Sequence, residues 1–173
     1  PFSLDTIILY MPAVISSMVV IPIILIARLY NLTVWGFLSA LLGSIAWSYY
    51  NRTMIGYYDT DMFAAMAPML ILLFLMKTIK DESLNNALFS ALVILVYPFL
   101  YDSGLSVVYA MGLLYMGYMV IFHRKEEFTY QSIILISIAL MGIAWFIKLA
   151  LIFGVYLLFK NKKFSIKELL IAS

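Results

Sequence analysis

"SYYNRTMIGYYDTDM", Ser48–Met62, is a polar interruption between two uncharged apolar runs, Val34–Tyr50 and Met62–Met76. Arg52, Asp59 and Asp61 sit together in it, among Tyr49, Tyr50, Tyr57 and Tyr58. Apolar runs of this length broken by short charged loops are the pattern of helices that cross a lipid bilayer one after another.

The rest of the chain agrees. Of its 173 residues, 65% are apolar and 12% charged, against roughly one half and one quarter in soluble domains. A soluble domain of this size has too little interior to hide so much apolar surface, so lipid takes the place of water. The expected fold is all-α, a polytopic transmembrane helix bundle. There is no cysteine, which excludes disulfides, thiolate metal sites and thiol catalysis. The net charge of +2 comes from basic residues in short clusters between apolar runs, which points to no nucleic-acid partner. We find no internal repeat or low-complexity tract. The chain opens "PFSLDTIILY", without an initiator methionine or a basic region, and closes on an apolar run that has just begun. An internal piece of a longer membrane protein is expected.

A spanning helix needs roughly 17–25 apolar residues. Leu4–Ala27 qualifies despite Pro12 and Pro22, followed by Val34–Tyr50, Met62–Met76, Ser83–Leu100 and Leu105–Phe122. The Phe128–Phe159 run would be about 48 Å long as one helix, too long for a ~30 Å core. We split it near Met141–Ile143, and another span starts at Ser165. The whole of 1–173 is thus read as part of one transmembrane domain of about seven spans plus the start of another. Lysine and arginine set the orientation. Arg28, Lys77, Lys80, Arg124, Lys125, Lys160, Lys162, Lys163 and Lys167 fall on one side, and Arg52 and Lys148 on the other. The basic side is cytoplasmic, so the Arg52–Asp61 loop faces outward.

Asp59-Thr60-Asp61 is the first candidate for chemistry. In extended backbone, side chains two apart share a face, and two convergent carboxylates suit a hard divalent cation, Mg²⁺ or Mn²⁺. The plainer reading is a solvated surface loop. Arg52 is near enough to Asp59 to pair with it, or to hold a phosphate in bidentate fashion; an ion pair with one aspartate is the structural alternative. Among lesser candidates, Asp102 reads as a turn residue, Lys148 as an interfacial anchor and the methionines as packing material. His123 has no partner at metal-ligand spacing. Of the N-x-T triplets, that at Asn31 is cytoplasmic and cannot be glycosylated there, and that at Asn51, tight against a helix end, reads as accidental.

The block "WSYYNRTMIGYYDTDM", Trp47–Met62, resembles the bacterial single-subunit oligosaccharyltransferases of the PglB type. "IILYM", "VVIPIILIAR", "GFLSALLGSIA" and "IFHRKEEFTY" are similar too, so the resemblance covers most of the chain. It implies a polytopic GT-C-like fold and transfer of a glycan from a polyprenyl-diphosphate carrier to asparagine in the sequon of an acceptor protein. It further implies a bacterial inner-membrane location with the active loop in the periplasm. Asp59 and Asp61 match the family's metal-binding D-x-D, with Mn²⁺ or Mg²⁺ as the cofactor. Asp61 and Arg52 match its catalytic pair. The family's other acidic loops and its C-terminal periplasmic domain, with the W-W-D-Y-G motif that reads the sequon, are expected outside this chain. Departures are Ile55, where a small residue is expected, and a less aromatic turn at Val96–Leu105. The alternatives are another GT-C enzyme using a lipid-phosphate sugar donor, or a non-catalytic transporter or scaffold. Transporters place ionisable groups at mid-membrane, whereas these spans are nearly free of charge.

Overall fold

The computed structural model describes residues 3–162, 164 and 168–169, residue 102 without its side chain. Among these residues there are nine α-helices and one 3-10 turn, and no strand. The expected all-α class holds. The span expected from Ser165 lies largely outside the described residues, as do Lys163 and Lys167.

The first apolar run forms two helices, α1 (Leu4–Ser17) and α2 (Val20–Leu29). Ser3 caps α1, its hydroxyl oxygen accepting from the Thr6 amide at 3.3 Å. Pro22 explains the break at Met18–Val19: it offers no N–H, and its ring crowds the carbonyl four residues back, that of Met18. The segment Leu4–Leu29, α1 and α2 with the break between them, has 26 residues, about 39 Å if helical throughout, enough to cross a ~30 Å core. After α2, Asn31 takes a left-handed conformation (φ 60°). The Leu32 amide then reaches the Ala27 carbonyl at 2.9 Å, and the Asn31 amide reaches that of Arg28 at 3.1 Å. This closes the helix in a Schellman turn and sends α3 (Thr33–Ser44) back along α2. Gly36 makes that contact possible, since a Cβ there would meet Ala27 Cβ at 2.4 Å.

The expected span Val34–Tyr50 is corrected. α3 stops at Ser44, Ala46 is extended (ψ 126°), and a separate seven-residue helix, α4 (Trp47–Thr53), follows. A Gly-Ser pair is a common site of such breaks. Here Gly43 adds backbone freedom, and the Ser44 hydroxyl bonds the Leu41 carbonyl at 2.7 Å. The polar segment therefore begins earlier than its hydropathy suggests. α5 (Met62–Asp81) runs on past Met76 to a total of 20 residues, about 30 Å.

The chain divides into two compact units, Pro1–Leu73 and Phe74–Ser173. The first holds α1 to α4 and most of α5. The second holds α6 (Leu84–Leu100), a 3-10 turn (Asp102–Gly104), α7 (Leu105–Phe122), α8 (Glu127–Leu140) and α9 (Trp145–Asn161). Its core is α8, which contacts α6, α7 and α9 and buries Thr129, Ser132, Leu135, Ile136 and Ala139. A helix apolar nearly all round is a buried one. Within it the Tyr115 hydroxyl bonds Ser132 Oγ at 2.8 Å, and Ser132 donates to the Thr129 carbonyl at 2.9 Å.

The long run breaks where expected, between α8 and α9. Residues Met141 and Ala144 are extended (ψ 146° and 137°). Two carbonyls at the end of α8 would otherwise lack partners. Tyr109 Oη donates to that of Leu140 at 3.0 Å, and Lys148 Nζ to that of Ala139 at 3.2 Å. Lys148, read as an interfacial anchor, is thus also a clasp on the break. Among the described residues, three helical segments are long and apolar enough to cross a membrane, Leu4–Leu29, Met62–Asp81 and Leu105–Phe122. Exposed large apolar side chains such as Leu114, Ile121 and Phe122 suit a surface solvated by lipid.

Candidate functional site

The site is built on α4, the bend that follows it and the start of α5, all within the first unit. α4 has no side-chain cap and is too short to be stable by itself, so its place is set by bonds to α1. Tyr49 Oη donates to the Ser16 carbonyl at 2.6 Å. Thr53 is buried one turn further on, its hydroxyl donating to the Tyr49 carbonyl at 2.7 Å. After Met54 the chain turns through Gly56 (φ 87°), whose amide reaches the Leu9 carbonyl at 2.9 Å. A left-handed φ costs an L side chain roughly 1–2 kcal/mol, so glycine suits this position. A groove of about 440 Å³ lies here, lined by Ser16, Tyr49, Tyr50, Thr53, Met54 and Ile55 among others.

The D-T-D segment is not extended. Thr60 and Asp61 form a turn, and the amides of Phe63 and Ala64 bond the carbonyls of Thr60 and Asp61 at 2.9 and 3.0 Å. The acids therefore stand at the N-terminus of α5, where the helix dipole favours negative charge. Asp59 Oδ1 accepts from the Thr60 amide at 2.6 Å. Asp61 Oδ2 accepts from Arg52 Nη1 at 3.0 Å. The expected reach of Arg52 toward Asp59 is corrected: its partner is Asp61, because the turn directs the two carboxylates to different partners. The side chain of Asp61 is 14% exposed and that of Arg52 66%. With so exposed a guanidinium, the pair is worth about 0.2–1 kcal/mol, not the value of a buried one.

The carboxylate oxygens of Asp59 and Asp61 are hard donors. Mg²⁺-like ions are commonly held by one or two carboxylates, with water and substrate phosphates completing the shell. The residues present fit such an ion in donor type and number. Among the described residues, the cluster of three metal-capable groups lies elsewhere, at Glu82, His123 and Glu126. His123, read as lacking such a partner, has Glu126 Oε2 at 3.1 Å from its Nδ1; Glu82 joins only through the tertiary fold. Met62 and Met119 are buried, as packing methionines should be. Sequence reasoning missed the Tyr49–Ser16 bond, because the four tyrosines of the loop look alike in composition. The one usable signal is that Tyr49 lies three residues before Arg52, on the same helical face.

The fold and this loop define an all-α membrane protein whose charged chemistry is gathered at the head of a spanning helix. The chain matches the family model described as oligosaccharyl transferase STT3, N-terminal, over residues 1–172. It is 46% identical over 159 residues, 92% of its length, to undecaprenyl-diphosphooligosaccharide–protein glycotransferases from two strains of Campylobacter jejuni. It spans 22% of the length of those relatives. The chain belongs to the STT3 oligosaccharyl transferase family. This membership disfavours both the transporter or scaffold reading and that of a different GT-C enzyme.

Proposed function

We propose that the full-length protein is a metal-dependent oligosaccharyltransferase of the bacterial inner membrane. It moves a glycan from a polyprenyl-diphosphate carrier to the asparagine of an acceptor sequon, with the Asn51–Asp61 segment facing the periplasm. One observation carries the reading: within a chain of this family, Arg52 and Asp61 are joined at 3.0 Å at the head of a spanning helix, with a second carboxylate two residues away. The names of the Campylobacter relatives support the donor and acceptor classes.

The chemistry asks for stabilisation of a departing diphosphate and activation of an amide nitrogen. Asp59 and Asp61 would hold Mn²⁺ or Mg²⁺, which when bound supplies Lewis-acid stabilisation of the diphosphate charge. Arg52 holds Asp61 in orientation through the 3.0 Å contact. Its exposed guanidinium retains donors for a phosphate oxygen or an acceptor carbonyl. The acceptor nitrogen is a poor nucleophile because its lone pair is delocalised into the carbonyl. A carboxylate accepting an amide N–H favours the twist that localises that pair, a task for carboxylates other than Asp59 and Asp61. Preorganised contacts of this kind act where charge develops. Further carboxylates and the sequon-reading domain belong to the remainder of the protein.

The test is glycan transfer by the full-length protein to a fluorescent sequon peptide across a Mn²⁺ titration. Transfer that needs the metal and is lost in Asp61→Ala supports the reading. Metal-independent transfer, or none, overturns it.

A further inference from the structure

α4 and the bend that follows it are anchored to α1 on both sides of Arg52. Before it, Tyr49 Oη donates to the Ser16 carbonyl at 2.6 Å. After it, the Gly56 amide donates to the Leu9 carbonyl at 2.9 Å. Ser16 and Leu9 are seven residues apart on one helix, about 10.5 Å along its axis.

The two anchors differ in kind. Ser16 belongs to the last turn of α1, whose carbonyls lose their next helical donors at the break before Pro22. The Val19 amide reaches the Ser16 carbonyl only at 3.2 Å. The Tyr49 phenol is the closer donor, half-buried beside the buried Ser16 and Thr53. Tyr49 and Arg52 are three residues apart, on one face of a helix of seven residues. Freeing the phenol would let this helix turn about its axis and carry the guanidinium with it, away from the partly buried Asp61.

Resting on the oligosaccharyltransferase reading above, we infer that Tyr49 is a positioning residue. Its bond to the Ser16 carbonyl holds Arg52 at the distance that orients Asp61 for transfer. Tyr49 does not itself touch the reacting groups. The kink made by Pro22 is then the socket in which the charged loop is seated.

A double-mutant cycle in the full-length protein tests this. Tyr49→Phe keeps the ring and removes only the donor. It should lower kcat for a sequon peptide about tenfold, a fraction of the ~100-fold that a 1 Å misplacement costs, with KM for the lipid-linked donor unchanged within about twofold. In an Arg52→Ala background the same change should cost less than about twofold, because residues acting as a unit are not additive. Equal losses in the two backgrounds, or an unchanged kcat in Tyr49→Phe alone, would overturn the inference. Nitroxides on cysteines placed at the exposed Val14 and Tyr50 give a readout independent of activity. Their dipolar broadening should report a wider spread of distances in Tyr49→Phe than in the parent, and an unchanged spread sinks the positioning role. If the parent shows no transfer at all, the proposed function fails, and the spin-label comparison alone still decides whether Tyr49 fixes α4.

Discussion

Arg52 Nη1 stands 3.0 Å from Asp61 Oδ2, while Asp59, two residues earlier, bonds the amide of Thr60 at 2.6 Å. Two carboxylates separated by a single residue are thereby given different local tasks. One is tied to a cation of the same loop, and the other shapes the turn that starts α5.

Removing either carboxylate should strike catalysis. In the full-length protein, Asp59→Ala and Asp61→Ala are each expected to lower turnover at least ~100-fold, as when one preorganised electrostatic contact is lost. Asp59→Asn should fail as well, because a neutral amide is a weak ligand for a hard cation. Initial transfer rates over a Mn²⁺ titration measure this. Near-normal rates with unchanged metal dependence in both alanine variants would leave the loop a solvated surface.

Arg52→Lys should fall between the parent and Arg52→Ala. Lysine keeps the charge facing Asp61 but loses the planar fork that can serve a carboxylate and a phosphate together. Because the pair is largely exposed on the arginine side, thermal stability should move by less than about 1 kcal/mol in either variant. Transfer kinetics and a thermal melt in detergent are read together. A large stability loss with intact kcat would assign the pair a structural task instead.

Gly36 predicts a purely structural effect. Gly36→Val places a branched side chain where even a Cβ would meet Ala27 Cβ at 2.4 Å. The α2–α3 hairpin should open, with a cost of about 1–3 kcal/mol for overpacking. Ala27→Gly should recover part of it. A melt of the single and double variants checks this, and absence of recovery would mean the clash is relieved elsewhere.

Orientation can be read with single cysteines, since the 173 residues contain none. Tyr58 and Glu82 are both exposed, whereas Thr53 is buried and a poor probe. A membrane-impermeant thiol reagent applied to cells with a permeable outer membrane should label Tyr58→Cys and spare Glu82→Cys. The opposite pattern would reverse the topology and the periplasmic reading of the loop.

Much of this protein was legible without coordinates, because lipid imposes a simple rule on sequence. Backbone groups in hydrocarbon must be satisfied within the segment, so apolar length and the placement of charge announce helices and their limits. Ser83–Leu100 and Leu105–Phe122 were foreseen almost to the residue, as was the break after Leu140. The charged loop stood out because charge is scarce here, and its ordered residues carried the family.

Hydropathy does not see backbone geometry, and there the tertiary structure decided. Trp47–Tyr50 reads as the end of a span, yet the break at Ile45–Ala46 makes it part of a separate helix carrying Arg52. The spacing of Arg52 from Asp59 and Asp61 allowed either partner, and the turn at the head of α5 selected Asp61. His123 gained Glu82 as a neighbour across two loops. Tyr49 was one aromatic among four until its hydroxyl met the Ser16 carbonyl. Composition and period dictate which segments leave water, because that free energy is local and additive. Which donor meets which carbonyl depends on contacts far apart in the chain, and only the folded backbone brings them within 3 Å.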